Sequence, residues 1–130
     1  MRQLAYIALI VHDYDEAIAW FCEKLGFRLV EDKRLSERKR WVLIAQGEPD
    51  TPCLLLAKAS NSEQTKAIGN QTGGRVFLSL QTDDFWNDYF SFRKRGVEFL
   101  EEPREEEYGT VAVFLDLAGN KWDLLQVHNT

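Results

Sequence analysis

Two charged side chains stand in stretches of the chain that are otherwise largely apolar. Arg75 opens the run Val76–Leu80, and Asp123 lies inside the run Lys121–Val127. A charged residue in such a strand must either pair with an opposite charge or face water, because an isolated buried charge is costly. The two residues therefore predict either a salt bridge between strands or a polar site. In that site, Arg75 would hold an anionic or carbonyl oxygen and Asp123 would orient it.

The histidines and cysteines offer little for catalysis. His12 follows the first apolar run at a helix start, where a surface or capping role is expected, and His128 lies two residues from the C-terminus. Neither has a second metal ligand beside it in the sequence. Cys22 falls on the apolar stripe of a helix, and Cys53 has no adjacent His or basic residue that would activate its thiol. We therefore expect neither a histidine-dependent mechanism nor a cysteine nucleophile.

Aromatic residues on or near the predicted strands are the other candidate contacts for a ligand. A flat aromatic side chain can stack on a bound ring, or it can simply fill the core. Because side chains alternate between the two faces of a strand, about half of this set should belong to the core. Tyr108 lies in the loop Arg104–Gly109, which could close over a site. The ligand-binding candidates are Tyr6, Trp41, Phe77, Tyr108 and Phe114, together with Arg75 and Asp123.

The elements that position these residues follow from hydrophobic periodicity and from capping signals. A helix is expected to begin at Asp13, with Glu16 as capping-box partner, and to end at Gly26. The apolar residues between these points recur at helical spacing. Short continuous or alternating apolar runs predict strands. In this half they are Leu4–Val11, Phe27–Glu31, Trp41–Ala45 and Pro52–Lys58, with a turn at Gly47–Asp50.

The same order returns in the second half of the chain. It follows the stretch Ala59–Gly74, which lacks periodicity and predicts a linker or mobile loop. Tyr6 lies 20 positions before Gly26, and Arg75 lies 21 positions before the next helix stop, Gly96. A period of about 69 residues is too long for a solenoid and indicates a duplicated unit. The strands predicted in this half are Arg75–Leu80, Val97–Leu100, Val111–Asp116 and Lys121–Val127.

A ferredoxin-like sandwich is the alternative architecture, since it also repeats a β–α–β unit. Each helix in this sequence is followed by three strand segments, however, and the long loop falls between the two copies. We therefore predict an α+β fold of two βαβββ modules within one domain, residues 1–130. Module 1 covers residues 1–58, the loop covers 59–74, and module 2 covers 75–130.

The charge and the apolar runs exclude several classes of partner. The net charge of −5 argues against nucleic acid and against an anionic membrane surface. No apolar run is long enough to span a bilayer, and the N-terminus has no signal-peptide pattern. Two cysteines are too few for a disulfide framework. The sequence thus predicts a cytoplasmic protein with reduced thiols.

Several stretches of the two halves form a pattern in a fixed order. They are Tyr6–Asp13, Ala17–Phe21, Leu25–Phe27, Lys94–Phe99, Tyr108–Thr110 and Phe114–Leu124. In order and spacing they resemble the vicinal oxygen chelate superfamily, which includes glyoxalase I, extradiol dioxygenases, and fosfomycin- and bleomycin-resistance proteins. The resemblance covers almost the whole chain except Ala59–Gly74. It implies paired βαβββ modules whose curved mixed sheet surrounds a cleft.

In the metal-using members, four side chains in that cleft bind a divalent ion. They lie on the first and last strands of each module. Carried over by position, these places fall on Tyr6, on Leu54–Ala57, on Arg75 and on Asp123. Aliphatic side chains cannot ligate a metal, and neither can a guanidinium, which has no acceptor and stays protonated. The resemblance therefore implies that the family metal is missing from its usual place. We expect no cofactor, with a divalent metal as the disfavoured alternative.

The expected function is that of a glyoxalase- or bleomycin-resistance-like protein that binds a small, partly apolar molecule in the cleft. The alternative is a metal-dependent lyase, isomerase or dioxygenase of the same superfamily with a rearranged ligand set, for example Asp123 joined by His12. A third possibility is an interaction domain whose cleft is filled by its own side chains. No catalytic residue is assigned. The resemblance also implies a homodimer.

Overall fold

The structure is a computed structural model that describes residues 1–48 and 51–128. The chain divides into two compact units, Met1–Ile68 (unit 1) and Gly69–Thr130 (unit 2). Each unit has a four-stranded mixed sheet, and the order of strands and helices repeats. The predicted two-module α+β fold is therefore confirmed. Among the described residues, no helix has the length and apolar character that crossing a membrane requires.

Unit 1 contains four strands and two helices. They are β1 (Tyr6–Val11), α1 (Tyr14–Leu25), β2 (Arg28–Arg34), β3 (Arg40–Ala45), β4 (Cys53–Lys58) and α2 (Ser62–Ala67). The sheet order is β1-β4-β3-β2, with β1 and β4 parallel and the other neighbours antiparallel. The second half of the predicted turn at Gly47–Asp50 lies outside the described residues.

Helix α1 begins and ends where the sequence predicts. The side chain of Asp13 accepts a hydrogen bond of 2.8 Å from the backbone N–H of Glu16, which has no partner inside the helix. Gly26 follows the helix with a φ of 75°, a left-handed conformation that glycine adopts without a steric penalty. Between these ends the helix buries one face, which includes Phe21 and Leu25, in the core of unit 1.

Helix α2 lies inside the predicted loop Ala59–Gly74, so the loop prediction is wrong at Ser62–Ala67. Asn61 caps this helix by accepting a hydrogen bond of 2.8 Å from the backbone N–H of Gln64. Although the structure describes all of α2, it buries none of its residues. The helix therefore has no apolar stripe by which periodicity could have revealed it.

Unit 2 repeats the arrangement of unit 1. Its elements are β5 (Val76–Gln81), α3 (Phe85–Lys94), β6 (Arg104–Glu106), β7 (Gly109–Leu115) and β8 (Lys121–Val127). The sheet order is β5-β8-β7-β6, and β5 and β8 are parallel. Strands β5 and β8 therefore hold the places in unit 2 that β1 and β4 hold in unit 1.

The segment after α3 differs from the prediction. Val97–Leu100 contributes only one isolated bridge, to Phe114, and the strand that pairs along β7 is β6. Pro103 stands between the two segments, and its missing N–H interrupts regular pairing. The predicted loop Arg104–Gly109 is consequently the start of a β-hairpin, with Tyr108 in its turn.

A buried carboxylate fixes the turn between β7 and β8. One oxygen of Asp116 accepts hydrogen bonds from the backbone N–H groups of Ala118, Gly119 and Asn120, at 2.9, 2.9 and 3.0 Å. Its other oxygen accepts a bond of 2.8 Å from the indole N–H of Trp122 and a longer one from the Asn120 amide. Asp116 is almost completely buried, so these donors replace its water. The bonds set where β8 begins.

Candidate functional site

The two faces of the sheet in unit 1 carry different residues. Leu9, Leu54 and Leu56 point into the core, where each is at most 5% exposed. The residues that alternate with them point to the opposite face, and directly paired residues share it. We call this the aromatic face. Its members are Tyr6, Ala8, Trp41, Leu43, Cys53 and Leu55.

Two of the predicted ligand contacts meet on the aromatic face. The rings of Tyr6 and Trp41 lie edge to face, with centroids 5.5 Å apart and planes at 86°. Tyr6 is 48% exposed and Trp41 is half-buried. Such a pair offers aromatic surface to a flat ring, and the phenol adds a hydrogen-bonding hydroxyl. The aromatic face can thus hold an apolar molecule with one polar contact.

The matching face of unit 2 carries a carboxylate. Asp123 on β8 lies directly opposite Ser79 on β5, and the Ser79 hydroxyl donates a long hydrogen bond of 3.4 Å to it. Burial raises the pKa of Asp123, while the Ser79 hydroxyl and the positive charge of Arg104 act in the opposite direction. Asp123 is therefore a half-buried acceptor with spare hydrogen-bonding capacity.

Ser79 and Arg104 lie beside Asp123, and neither is among the candidates that the sequence predicts. Arg104 forms ion pairs with Glu101 and Glu106, and it supplies positive charge near Asp123. Ser79 is the only polar residue inside the apolar run Val76–Leu80, which is a signal the sequence does contain. Arg104 stands in an acidic stretch, and nothing in its surroundings marks it before the pairing of β6 is known.

Arg75 does not meet Asp123, so the predicted salt bridge is wrong. Arg75 is exposed and precedes β5, in which Val76 pairs with Lys121 and Ser79 pairs with Asp123. Because Val76 is level with Lys121, Arg75 stands about three residues before the level of Asp123, or roughly 10 Å along a strand. Within the part of the chain that the structure describes, no ion pair joins the two side chains.

One aromatic candidate belongs to the core of unit 2, and a second packs against that core. Phe114 is fully buried, and its ring stacks on Trp122 with centroids 5.9 Å apart. Phe77 lies where the register between β5 and β8 shifts, and its ring packs edge-on against Trp122 at 6.4 Å. The prediction of Phe114 as a ligand contact is therefore wrong, because its side chain is fully buried. Phe77 is half-buried, and its role as a ligand contact stays a prediction. Tyr108, by contrast, is 54% exposed in the β6–β7 turn, where a ligand or solvent can reach it.

The places that hold a metal in the resembled family do not fit one in this chain. Leu55 in β4 corresponds to Asp123 in β8, because each pairs with the middle of the first and third strands of its unit. The four places thus offer a phenol, an aliphatic chain, a guanidinium and one carboxylate, a poor donor set for a divalent ion. Across residues 1–48 and 51–128, no group of three or more His, Cys, Asp and Glu side chains could hold a metal ion.

Comparison with solved structures finds the same fold over the whole chain. UcmS2 is 28% identical with a TM-score of 0.82, and the match covers 96% of this chain and 98% of UcmS2. TnmS3, an antibiotic binding protein from Streptomyces sp. CB03234, is 26% identical with a TM-score of 0.78, over 98% of each chain.

Two sequence relatives match almost the whole chain. An uncharacterized protein from Shewanella frigidimarina is 52% identical over 98% of this chain and 96% of its own length. YetH of Bacillus subtilis, also uncharacterized, is 30% identical over 92% of this chain and 94% of its own. The model of the Glyoxalase/Bleomycin resistance protein/Dioxygenase superfamily matches residues 3–124. With this match and the two-module fold, the chain belongs to the Glyoxalase/Bleomycin resistance protein/Dioxygenase superfamily.

Proposed function

We propose that this protein binds a small, partly apolar molecule with a flat aromatic portion, and that it does so without the family metal. The observation that carries the proposal is the half-exposed pair of Tyr6 and Trp41 on an otherwise aliphatic face. A surface of this kind gains free energy by covering apolar area and by stacking on a ring. The resemblance to the superfamily assigns such sheet faces to the lining of its cleft.

The face of unit 2 offers its own polar contact for a ligand, the carboxylate of Asp123. Its carboxylate has one long hydrogen bond, to Ser79, and therefore has lone pairs available for a hydroxyl or amine donor of the ligand. Burial strengthens such a hydrogen bond, because water competes less for the acceptor. On the face of unit 2, Asp123 would thus accept a hydrogen bond from a polar group of a ligand, whereas the aromatic face of unit 1 offers apolar contact.

The relatives support a binding role. TnmS3 is an antibiotic binding protein, and it matches this chain over nearly its full length. An antibiotic with a fused aromatic ring system has the chemistry that the Tyr6–Trp41 pair fits. By binding such a compound the protein would withdraw it from its target, which needs no reactive group in the site.

The absence of a suitable donor set argues for the metal-free form of this proposal. Leu55, which holds the place in unit 1 that Asp123 holds in unit 2, offers no donor atom for a metal. A metal-dependent lyase, isomerase or dioxygenase would need at least two further ligands for Asp123. Incubation with Ni²⁺, Zn²⁺, Mn²⁺ or Fe²⁺, followed by dialysis and metal analysis, should leave far less than one ion per chain. One tightly bound ion per chain would contradict the metal-free proposal.

Titration with the uncharged aromatic dye Nile red tests the aromatic face. We expect saturable fluorescence enhancement, and a Kd that rises about three- to tenfold in Trp41→Leu, because an aromatic contact contributes roughly 0.5–1.5 kcal/mol beyond its buried area. The matched control is Trp86→Leu, which removes an exposed tryptophan from α3. Equal weakening in both variants, or weakening only in the control, would place the dye elsewhere and refute the proposal.

We also propose that the protein is a cytoplasmic homodimer, as its superfamily membership leads us to expect. Sedimentation equilibrium at micromolar concentration should give twice the mass of one chain. A monomer mass under these conditions would rule out the dimer without affecting the binding proposal.

A further inference from the structure

The hairpin between β2 and β3 concentrates positive charge in a protein whose net charge is −5. Five of the eight residues from Lys33 to Arg40 are Lys or Arg. Two of the five have partners that explain them. Arg40 forms ion pairs with Asp15 and Asp32, at 2.9 and 2.6 Å, and Arg34 donates to a backbone carbonyl in the turn. These contacts do not account for the other three cations of the hairpin, Lys33, Arg38 and Lys39.

Arg38, in the turn of this hairpin, comes together with a cation from another strand. Strand β3 runs antiparallel to β4, with Val42 opposite Leu56, so the chain before Val42 approaches the end of β4 at Lys58. Arg38 and Lys58 line one cavity of about 580 Å³. Neither forms an ion pair with any residue in the described ranges. Two like charges thus share a cavity without a counter-charge.

The other residues around this cavity are small and mostly polar. Ser60, Asn61 and Thr65 contribute hydroxyl and amide groups, and none of the described residues that line the cavity is acidic. The oxygen of the Asn61 amide is used to cap α2, which leaves its NH₂ group as a donor. The hydroxyl groups of Ser60 and Thr65 donate to the Gln64 amide oxygen and to the backbone carbonyl of Asn61. The cavity therefore offers two cations and the NH₂ group of Asn61, which is the complement of a compact anion.

We propose that the cavity formed by Arg38, Lys58, Ser60, Asn61 and Thr65 binds the phosphate group of a small phosphorylated molecule. Arg offers a planar fork of donors that fits phosphate oxygens, and Lys adds a compact charge. The volume lies in the range of small-molecule sites rather than of a single bound ion. None of these residues belongs to the aromatic face, so this site does not depend on the function proposed above.

A ¹H–¹⁵N NMR titration with inorganic phosphate tests the proposal. Sodium chloride is exchanged for sodium phosphate at constant low ionic strength, so that screening does not change. We expect saturable shifts of the backbone amides of Ser60, Asn61 and Thr65. Arg38→Gln and Lys58→Gln should each raise the Kd about fivefold or more, since one charge contact at 4 Å is worth about 1 kcal/mol in water.

The matched control is Arg2→Gln, which removes the same charge from an exposed position of unit 1 outside the cavity. It should leave the phosphate Kd unchanged. Arg38 and Lys58 are exposed as well, so their variants should fold, and the dispersion of the same spectra verifies this. Shifts that are spread over the surface, that do not saturate, or that weaken equally in Arg2→Gln would overturn the proposal. If Trp41→Leu loses Nile red binding but still binds phosphate, the phosphate proposal stands.

Discussion

Replacing Asp116 by alanine should be among the most destabilising single changes in unit 2. Asp116 accepts four hydrogen bonds of 2.8 to 3.0 Å, three from backbone N–H groups and one from Trp122. A buried donor left without its acceptor costs about 1–3 kcal/mol. Water can reach part of the turn once the side chain is removed, so we take about 1 kcal/mol for each donor. The free energy of unfolding should therefore fall by about 4 kcal/mol, near the upper end for a point mutation.

The Asp116→Asn variant separates the two halves of this network. It keeps the oxygen that accepts from the three backbone donors, but it turns an NH₂ group toward the indole N–H of Trp122. We expect the free energy of unfolding to fall by about 2 kcal/mol, because two hydrogen-bond donors then face each other without an acceptor. The loss should shrink in a Trp122→Phe background, because the opposing donor is then gone.

Urea unfolding followed by far-UV circular dichroism measures these changes as shifts in midpoint at constant slope. For 130 residues, 4 kcal/mol corresponds to a fall in Tm of roughly 15 °C. The control is Asp83→Ala, an exposed carboxylate at the start of α3, which should change stability by less than about 0.5 kcal/mol. A loss below about 1 kcal/mol in Asp116→Ala, or an equal loss in the alanine and asparagine variants, would refute the reasoning.

Three further changes can be checked by the same unfolding assay. A hydrogen bond from Arg40 lowers the pKa of Asp32 in the folded protein. Arg40→Gln should therefore reduce the free energy of unfolding by about 1 kcal/mol at pH 7. The difference from wild type should fade as the pH falls through that lowered pKa. Burial raises the pKa of Asp123, so Asp123→Asn should be more stable than wild type at pH 7. That advantage should vanish below the ordinary Asp value of about 3.9. Gly69→Ala should lose more stability than Gly73→Ala. Both glycines have a positive φ, but a Cβ at Gly69 would lie 2.3 Å from a backbone oxygen, whereas a Cβ at Gly73 would have no atom within 4 Å.

The sequence predicts the fold well where burial and local chemistry agree. Helix α1 has an apolar stripe, a capping aspartate and a stop glycine, and all three appear in the structure as expected. Helix α2 has none of its residues buried, so only its capping by Asn61 could have indicated it. The prediction at Val97–Leu100 failed for a related reason: apolar character marks burial there, but Pro103 prevents continuous pairing.

Site residues are predicted less well, because a site depends on register. Alternation along β8 is local: Trp122 is buried in the core, and Asp123, the next residue, points to the opposite face. The partner of Asp123 depends on a shift in the β5–β8 pairing at Phe77, which no single sequence reveals. Unless that shift is known, the sequence cannot show whether Arg75 or Ser79 lies beside Asp123. The cavity at Arg38 and Lys58 likewise requires knowing that the β2–β3 turn reaches the end of β4.

The parallel pairing of β1 with β4, and of β5 with β8, constrains the order in which each unit can fold. Ser79 and Asp123 pair across 44 positions, and Tyr6 and Cys53 pair across 47. Closing such long loops is slow, whereas antiparallel neighbours such as β3 and β4 are close in the chain and can pair early. During synthesis, β1 therefore leaves the ribosome first but must wait for β4 before it is hydrogen-bonded. The aromatic face, which needs both strands, would then be the last part of unit 1 to form, and folding measurements on Tyr6 variants should report the final step.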